Sequence, residues 1–166
     1  MNNTKTIFKS LLITVMALSL LAVSCSKDEG GTKTPTNPAK PITITAQSIT
    51  DSINAALKST VMAFTYDADK KTATATAAAT KQEDLDALKT LNITIDGANV
   101  KVKDTTTKFP AFDGTDNITI TITITPASGN SFDEKNLTPY TAIDGKVEVT
   151  LTLSPANSKK WNEATV

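Results

Sequence analysis

Apolar and polar residues alternate with a period of two over several short stretches of the chain. In residues 118–125 isoleucine alternates with threonine at every position, and residues 146–153 place valine or leucine at every second position before Pro155. Alternation of this kind puts apolar side chains on one face of a β-strand and polar ones on the other. Because residues 118–125 are uncharged and β-branched, an open edge there would invite aggregation, so a central strand is predicted.

Further short strands are predicted around turn signals. Residues 61–66 and 72–78 flank a polar linker and predict a hairpin, as do residues 93–95 and 100–102 around Asp96-Gly97. Residues 42–45 predict one more strand. Six or seven short strands with polar outer faces indicate a mainly β domain over residues 42–166, and we predict an antiparallel β-sandwich of about seven strands.

Two segments depart from the period-two pattern. Thr80 and Glu83 have the spacing of a capping box, and three leucines at positions 85, 88 and 91 then share one helical face, which predicts a short helix. Residues 48–59 also carry apolar residues at helical spacing. This second segment is either a helix or a lead into the next strand, so one or two short helices are expected.

The beginning of the chain has the pattern of an export signal. Lys5 and Lys9 precede an apolar run at residues 11–23, which is shorter than the roughly 20 residues that a membrane-spanning helix needs. The run ends in Leu-Leu-Ala-Val-Ser before Cys25 and resembles a bacterial lipobox, although Ala22 stands where a leucine is common. The resemblance implies that residues 1–24 are removed and that Cys25 is lipidated. Residues 25–41 are then a flexible tether to the membrane.

A short charged motif follows the cysteine. It consists of Ser26, Lys27, Asp28 and Glu29. It resembles the acidic export signal of Bacteroidota lipoproteins, which implies an outer-membrane lipoprotein displayed on the cell surface. A solvated charge cluster in the tether is the alternative. Residues 64–102 further resemble the immunoglobulin-like repeats of Bacteroidota surface proteins, which implies an Ig-like fold for the sandwich.

The amino-acid composition excludes several classes of binding and catalytic site. All 17 basic residues are lysines, balanced by 17 acidic ones, and the chain has no histidine and only one cysteine. Without arginine or a basic excess, a nucleic-acid partner is not expected. Zinc sites built on His and Cys, and Ser-His-Asp triads, are excluded as well. We therefore predict no enzymatic activity and no cofactor, apart from a candidate calcium ion.

The candidate calcium site is predicted from two acidic loops. Asp67 and Asp69 lie in one loop, and Asp113 and Asp116 lie in another, where their oxygens have spacings that Ca²⁺ uses. Aspartate is also favoured in turns because its side chain binds its own backbone, and neither loop has the EF-hand pattern.

Several other residues are candidates for contact or modification. Trp161 is either an exposed anchor for a glycan or protein partner or a side chain that packs back onto the domain. Phe109 and Phe112 form either a contact tip or part of the core. Ser52 and Thr105 follow aspartates and resemble sites of Bacteroidota protein O-glycosylation.

Taken together, these patterns predict a membrane-anchored surface lipoprotein that binds a ligand or has a structural role. Its expected partners are the membrane, through the N-terminal lipid, and a protein or glycan of unknown identity. Two alternatives remain open: an accessory glycan-binding module of a nutrient-uptake system, and a small hydrolase built on carboxylates.

Overall fold

A computed structural model describes residues 39–156 and 159–163 of the chain. The predicted signal peptide, the lipidation site Cys25 and the export motif at residues 26–29 lie outside the described residues. Within the described ranges, no helix has the length and apolar character required to cross a membrane.

The described residues form two α-helices and eight strands, with single turns of 3-10 helix at Ala87–Thr90 and Glu134–Asn136. The helices are α1 (Ala46–Lys58) and α2 (Gln82–Asp86). The strands are β1 (Thr43–Ile44), β2 (Phe64–Asp67), β3 (Thr72–Ala75), β4 (Ala98–Asp104), β5 (Ile118–Pro126), β6 (Ser131–Phe132), β7 (Ala142–Ile143) and β8 (Lys146–Ser154). The prediction of a mainly β domain with one or two short helices is confirmed.

The strands form a mixed sheet in the order β2-β3-β8-β5-β4, with β7 also paired to β8. Strands β3 and β8 run parallel, as do the two-residue strands β1 and β6, which form a separate pairing. The prediction of a wholly antiparallel arrangement is therefore wrong. Alternation assigns the two faces of a strand, but it carries no information about the direction of the neighbouring strand.

The core lies on one face of this sheet. The isoleucines of β5 and the inward residues of β8 are fully buried, and they share one apolar cluster with Ile49, Ile53 and Leu57 of α1. The opposite face carries the threonines of β5 and β8, which are half-buried or exposed. Helix α1 and the loops thus cover one face of the main sheet, and the second sheet is limited to the short β1–β6 pairing.

Helix α1 starts earlier than residue 48, the predicted first position. The Thr45 hydroxyl accepts a hydrogen bond from the backbone N–H of Ser48 at 3.2 Å, and the Ser48 hydroxyl accepts one from the N–H of Thr45 at 3.1 Å. This reciprocal pair satisfies two of the N–H groups that a helix start leaves free. The helical interpretation of this segment is confirmed.

Helix α2 forms where it is predicted, but with a different cap. The Asp84 carboxylate accepts hydrogen bonds from the N–H and hydroxyl of Thr80, both at 2.7 Å, and from the N–H of Lys81 at 3.2 Å. The N-cap is Lys81, one residue later than the predicted box. Thr80 therefore donates to a side chain inside the helix instead of capping it with its own oxygen.

The predicted hairpin around Asp96-Gly97 does not form. Residues 91–95 are not a strand, and Ile93 and Ile95 are buried in the core, while β4 pairs with β5 instead. The turn itself is present, because the N–H of Ala98 donates to Ile95 O at 3.1 Å. Gly97 has φ +76°, and a Cβ there would lie 2.7 Å from the Ile42 side chain, so glycine is required at this position.

The capping carboxylate of α2 makes stability depend on pH. The hydrogen bond from the Thr80 hydroxyl, helped by two backbone N–H groups, holds the pKa of Asp84 below its usual value. Its contribution is complete above the unfolded-state pKa of about 4 and is lost as pH falls through the lower, folded-state pKa. We expect Asp84→Asn to lower the free energy of unfolding at pH 7 by about 1 kcal/mol. In this variant the free energy of unfolding should also fall less steeply as the pH drops below 4.

The measurement is urea denaturation at pH values between 7 and 2.5. Glu83→Gln provides a matched control, because Glu83 is an exposed acid in the same helical turn. Equal acid sensitivity in the Asp84→Asn variant and the native protein would contradict the assignment.

Candidate binding cleft

The acidic loops do not assemble a metal site within the part of the chain that the structure describes. Asp67 accepts a hydrogen bond from the N–H of Lys70 at 3.1 Å and pairs with the Lys70 ammonium at 3.0 Å, and the N–H bond is the main reason that its pKa is lowered. Asp69, Asp113 and Asp116 are exposed. In residues 39–156 and 159–163, no three Asp, Glu, Cys or His side chains come together in a way that would hold a metal ion.

Trp161 is part of the core, with 1 % of its surface exposed. Its indole N–H donates to Asp116 O at 2.9 Å, and its ring lies 6.2 Å from that of Phe64, tilted by 58°. Its backbone carbonyl accepts from the N–H of Ala79 at 2.7 Å. Of the two interpretations of Trp161, the structure shows the one in which it packs back onto the domain.

The loop with Phe109 and Phe112 packs partly against the core. The Lys89 ammonium lies 4.4 Å from the centre of the Phe109 ring, a cation–π contact. Gln82 fastens the loop to α2, because its side-chain oxygen accepts from the N–H of Phe112 at 3.0 Å and its NH₂ donates to Pro110 O at 3.1 Å. Both phenylalanine rings are half-buried and thus have a packing role.

The two candidate glycosylation residues differ in their surroundings. Ser52 is half-buried on α1. Thr105 is exposed, and its hydroxyl donates to Thr119 O at 2.8 Å, where it extends the pairing of β4 with β5. Modification of Thr105 would therefore remove this hydrogen bond.

A half-open cleft of about 400 Å³ lies beside the β7–β8 hairpin. This volume is within the range of small-molecule and peptide sites. The cleft is lined by Lys71, Pro139, Thr141, Ile143, Asp144, Lys146 and Glu148.

The tight turn of the hairpin positions one wall of the cleft. Asp144 and Gly145 both have positive φ, +50° and +74°, as a two-residue hairpin loop that follows the twist of its strands requires. The preceding residue, Ile143, is 67 % exposed. An exposed isoleucine on the rim of a polar cleft offers an apolar contact to a ligand.

Lys71 forms the other end of the cleft. Its φ is +53°, which is uncommon for a residue with a side chain, and this conformation places its carbonyl where it accepts the N–H of Thr152 at 3.1 Å. Its ammonium group donates to Pro139 O at 3.5 Å. Lys71 thus joins the end of β8 to the loop that precedes β7.

The cleft contains charges of both signs. The ion pairs among the described residues are Lys70–Asp67 and Lys89–Asp86, so the four charged residues of the cleft form no salt bridge with one another. The two ammonium groups and two carboxylates are available to a ligand that carries either or both charges.

A chain of hydroxyl groups supports the cleft wall from inside. Tyr140, which is 4 % exposed, makes hydrogen bonds through its hydroxyl with Thr50 at 2.8 Å and with Tyr66 at 3.1 Å. Burial, followed by the bond to Tyr140, raises the pKa of Tyr66, so its hydroxyl stays protonated. Because Tyr140 lies between Pro139 and Thr141, these bonds fix both residues of the wall.

Sequence reasoning did not find this site. The dipeptide Asp144-Gly145 is a strong hairpin signal. Ile143 directly precedes it, so the sequence places an isoleucine beside the tip of a hairpin. Pro139, Thr141, Lys146 and Glu148 lie close to this turn in the sequence, whereas Lys71 comes from a distant part of the chain, and none of them belongs to a motif.

The described part of the chain is thus a mainly β domain with one mixed sheet, two helices and a cleft beside its central strand. No protein-family model matches the chain, and neither the curated proteins nor the solved structures contain a significant match. The lipoprotein and immunoglobulin-like resemblances stay predictions.

Proposed function

We propose that this chain is a lipid-anchored outer-membrane protein whose β domain binds a ligand and carries out no catalysis. The observation that carries the binding role is the cleft beside the β7–β8 hairpin, where unpaired charges of both signs lie next to the exposed side chain of Ile143.

The anchoring part of the proposal is supported by the sequence. The apolar run at residues 11–23, followed by Ser24 and Cys25, has the order of a lipoprotein signal, and the acidic motif at residues 26–29 supports surface display. Acidic side chains do not bind anionic lipid, so this motif would act through recognition by a sorting machinery. The tether up to residue 41 would then hold the domain away from the membrane.

Protease treatment of intact cells tests the location. We expect the native protein to be digested, and a variant with Lys27, Asp28 and Glu29 all changed to alanine to be protected, because it would remain on the periplasmic side. A Cys25→Ala variant is expected to lose the incorporation of labelled fatty acid, since the thiol that carries the lipid would be missing. Immunoblots of whole cells measure the digestion, and labelling of the cells with a fatty acid measures the lipidation.

The control is digestion of every variant after cell lysis. Protection of the native protein in intact cells would contradict surface display. Equal labelling of the native protein and the Cys25→Ala variant would contradict lipid anchoring at Cys25.

A further inference from the structure

The central strand β8 is paired unequally along its two edges. Strand β5 pairs with it continuously from Val147 to Leu153. The opposite edge is divided between β7, which pairs at residues 146–147, and β3, which pairs at residues 152–154. A gap in the sheet therefore lies beside residues 148–151, and Glu148 in this gap lines the cleft.

The direction of the backbone groups in the gap follows from the hydrogen bonds around it. The N–H of Thr152 donates to Lys71 O, on the β3 side. Backbone groups of alternate residues in a strand point to the same edge, so those of Glu148 and Thr150 also face the gap.

The other edge of β5 gives an independent check. Thr119 O accepts the N–H of Thr105 on the β4 side, so Ile122 faces β8, where its partner is Val149. The odd-numbered residues of this part of β8 thus point to β5 and the even-numbered ones point to the gap.

Three of these backbone groups have no hydrogen-bond partner among the described residues. They are the carbonyl of Glu148 and both the N–H and the carbonyl of Thr150. Both residues are exposed. Along the edge of β8 the groups follow the order acceptor, donor, acceptor, with the spacing of an extended chain.

We propose that this gap binds an extended peptide segment of a protein partner through main-chain hydrogen bonds. One partner residue opposite Val149, running parallel to β8, would donate its N–H to Glu148 O and accept the N–H of Thr150 through its carbonyl. It would continue the direction of β3, which is already parallel to β8. This inference rests on the proposed binding function and names its ligand class.

The surroundings of the gap match a peptide in side chains as well. Lys146 and Lys71 stand at the two ends of the gap, and the carboxylates of Asp144 and Glu148 line the same cleft. A bound segment with both acidic and basic side chains would therefore meet groups of opposite charge. Ile143 offers an apolar contact beside them. A peptide backbone presents donors and acceptors at the same strand spacing, whereas sugar hydroxyl groups have no such fixed repeat.

Selection of random decapeptides displayed on phage, against the purified full-length chain, provides the probe. We expect a selected synthetic peptide to slow hydrogen exchange of the Thr150 amide more than about tenfold, because the amide becomes hydrogen-bonded. N-methylation of one interior residue of the peptide should raise the Kd about tenfold or more, since it removes the N–H that Glu148 O accepts.

A pair of variants separates the backbone from the side chain. Thr150→Pro removes the N–H that faces the gap and leaves the hydrogen bonds to β5 intact, so the Kd should rise about tenfold or more. Thr150→Ala keeps the N–H and should change the Kd less than about twofold. If the proline variant does not fold, hydrogen exchange on the native chain and the N-methylated peptides decide the question.

Several outcomes would overturn the inference. One is that no peptide is selected, and another is that a selected peptide binds but leaves the Thr150 amide unprotected from exchange. A third is that a glycan, or self-association of the chain, protects that amide. Protection by a glycan would leave the proposed binding function in place while refuting the ligand class. Failure of the protease experiment would instead refute the proposed location without affecting the peptide measurement.

Discussion

Replacing Trp161 with alanine is expected to lower the free energy of unfolding by about 4 kcal/mol. The indole is 1 % exposed, packs beside Phe64, and donates its N–H to Asp116 O. Truncation therefore removes a large apolar volume from the core and takes away the hydrogen bond to the Asp116 carbonyl. Urea denaturation followed by circular dichroism measures the loss.

Trp161→Phe is the matched control for this prediction. It keeps an aromatic ring against Phe64 and removes the hydrogen bond to Asp116 O, so we expect a loss of about 1–2 kcal/mol. A tryptophan that acted as a surface anchor would behave differently, because its truncation would leave stability within about 0.5 kcal/mol. A loss of that small size in Trp161→Ala would show that the side chain is not in the core.

The second large effect is expected in the middle of β5. Ile122 is fully buried in the core, whereas Thr123, the next residue, is half-buried and points to the opposite face of the sheet. Ile122→Ala is expected to lower the free energy of unfolding by about 3–4 kcal/mol, and Thr123→Ala by less than about 1 kcal/mol. The urea midpoints of the two variants give the comparison.

This pair also tests whether a second layer covers the threonine face. Packing of another sheet or domain over that face would make Thr123→Ala costly, because a covered threonine needs its hydroxyl satisfied. Similar losses in the two variants would contradict the single covered face. Unequal losses in the stated order would support it.

Local features of the sequence predict the elements well and their pairing poorly. The alternation in residues 118–125 and 146–153 corresponds to β5 and β8, with the predicted faces buried. The pattern in residues 93–95 is also alternating, yet this segment is an extended loop whose isoleucines fill the core. Side-chain alternation describes burial, whereas hydrogen-bond partners depend on the path of the whole chain.

The candidate site is predictable only at its turn. Asp144 and Gly145 indicate a hairpin from sequence alone, and this hairpin brings Pro139 and Glu148 to the same region. The cleft also needs Lys71, which reaches it only through the parallel pairing of β3 with β8. No spacing rule connects Lys71 with the hairpin. The calcium prediction depends on the spacing of the aspartates alone. In the structure Asp67 stabilises the turn in which it lies, because its carboxylate accepts a hydrogen bond from the N–H of Lys70.

The position of β8 in the sheet has a consequence for the order of folding. The β2–β3 hairpin is local, but among the described strands it is joined to the sheet through β8, which is made of residues 146–154. The segment between β3 and β8, residues 76–145, spans more than half of the domain. Bringing the ends of a segment of this length together has an entropic cost, which is offset only when the parallel strand pairs. Contacts between residues so far apart in the sequence give a high contact order, which slows folding. The sheet therefore cannot be completed until nearly the whole chain is present. In the proposed lipoprotein location the chain would have to cross a membrane before it folds, and this delay would keep it unfolded for the crossing.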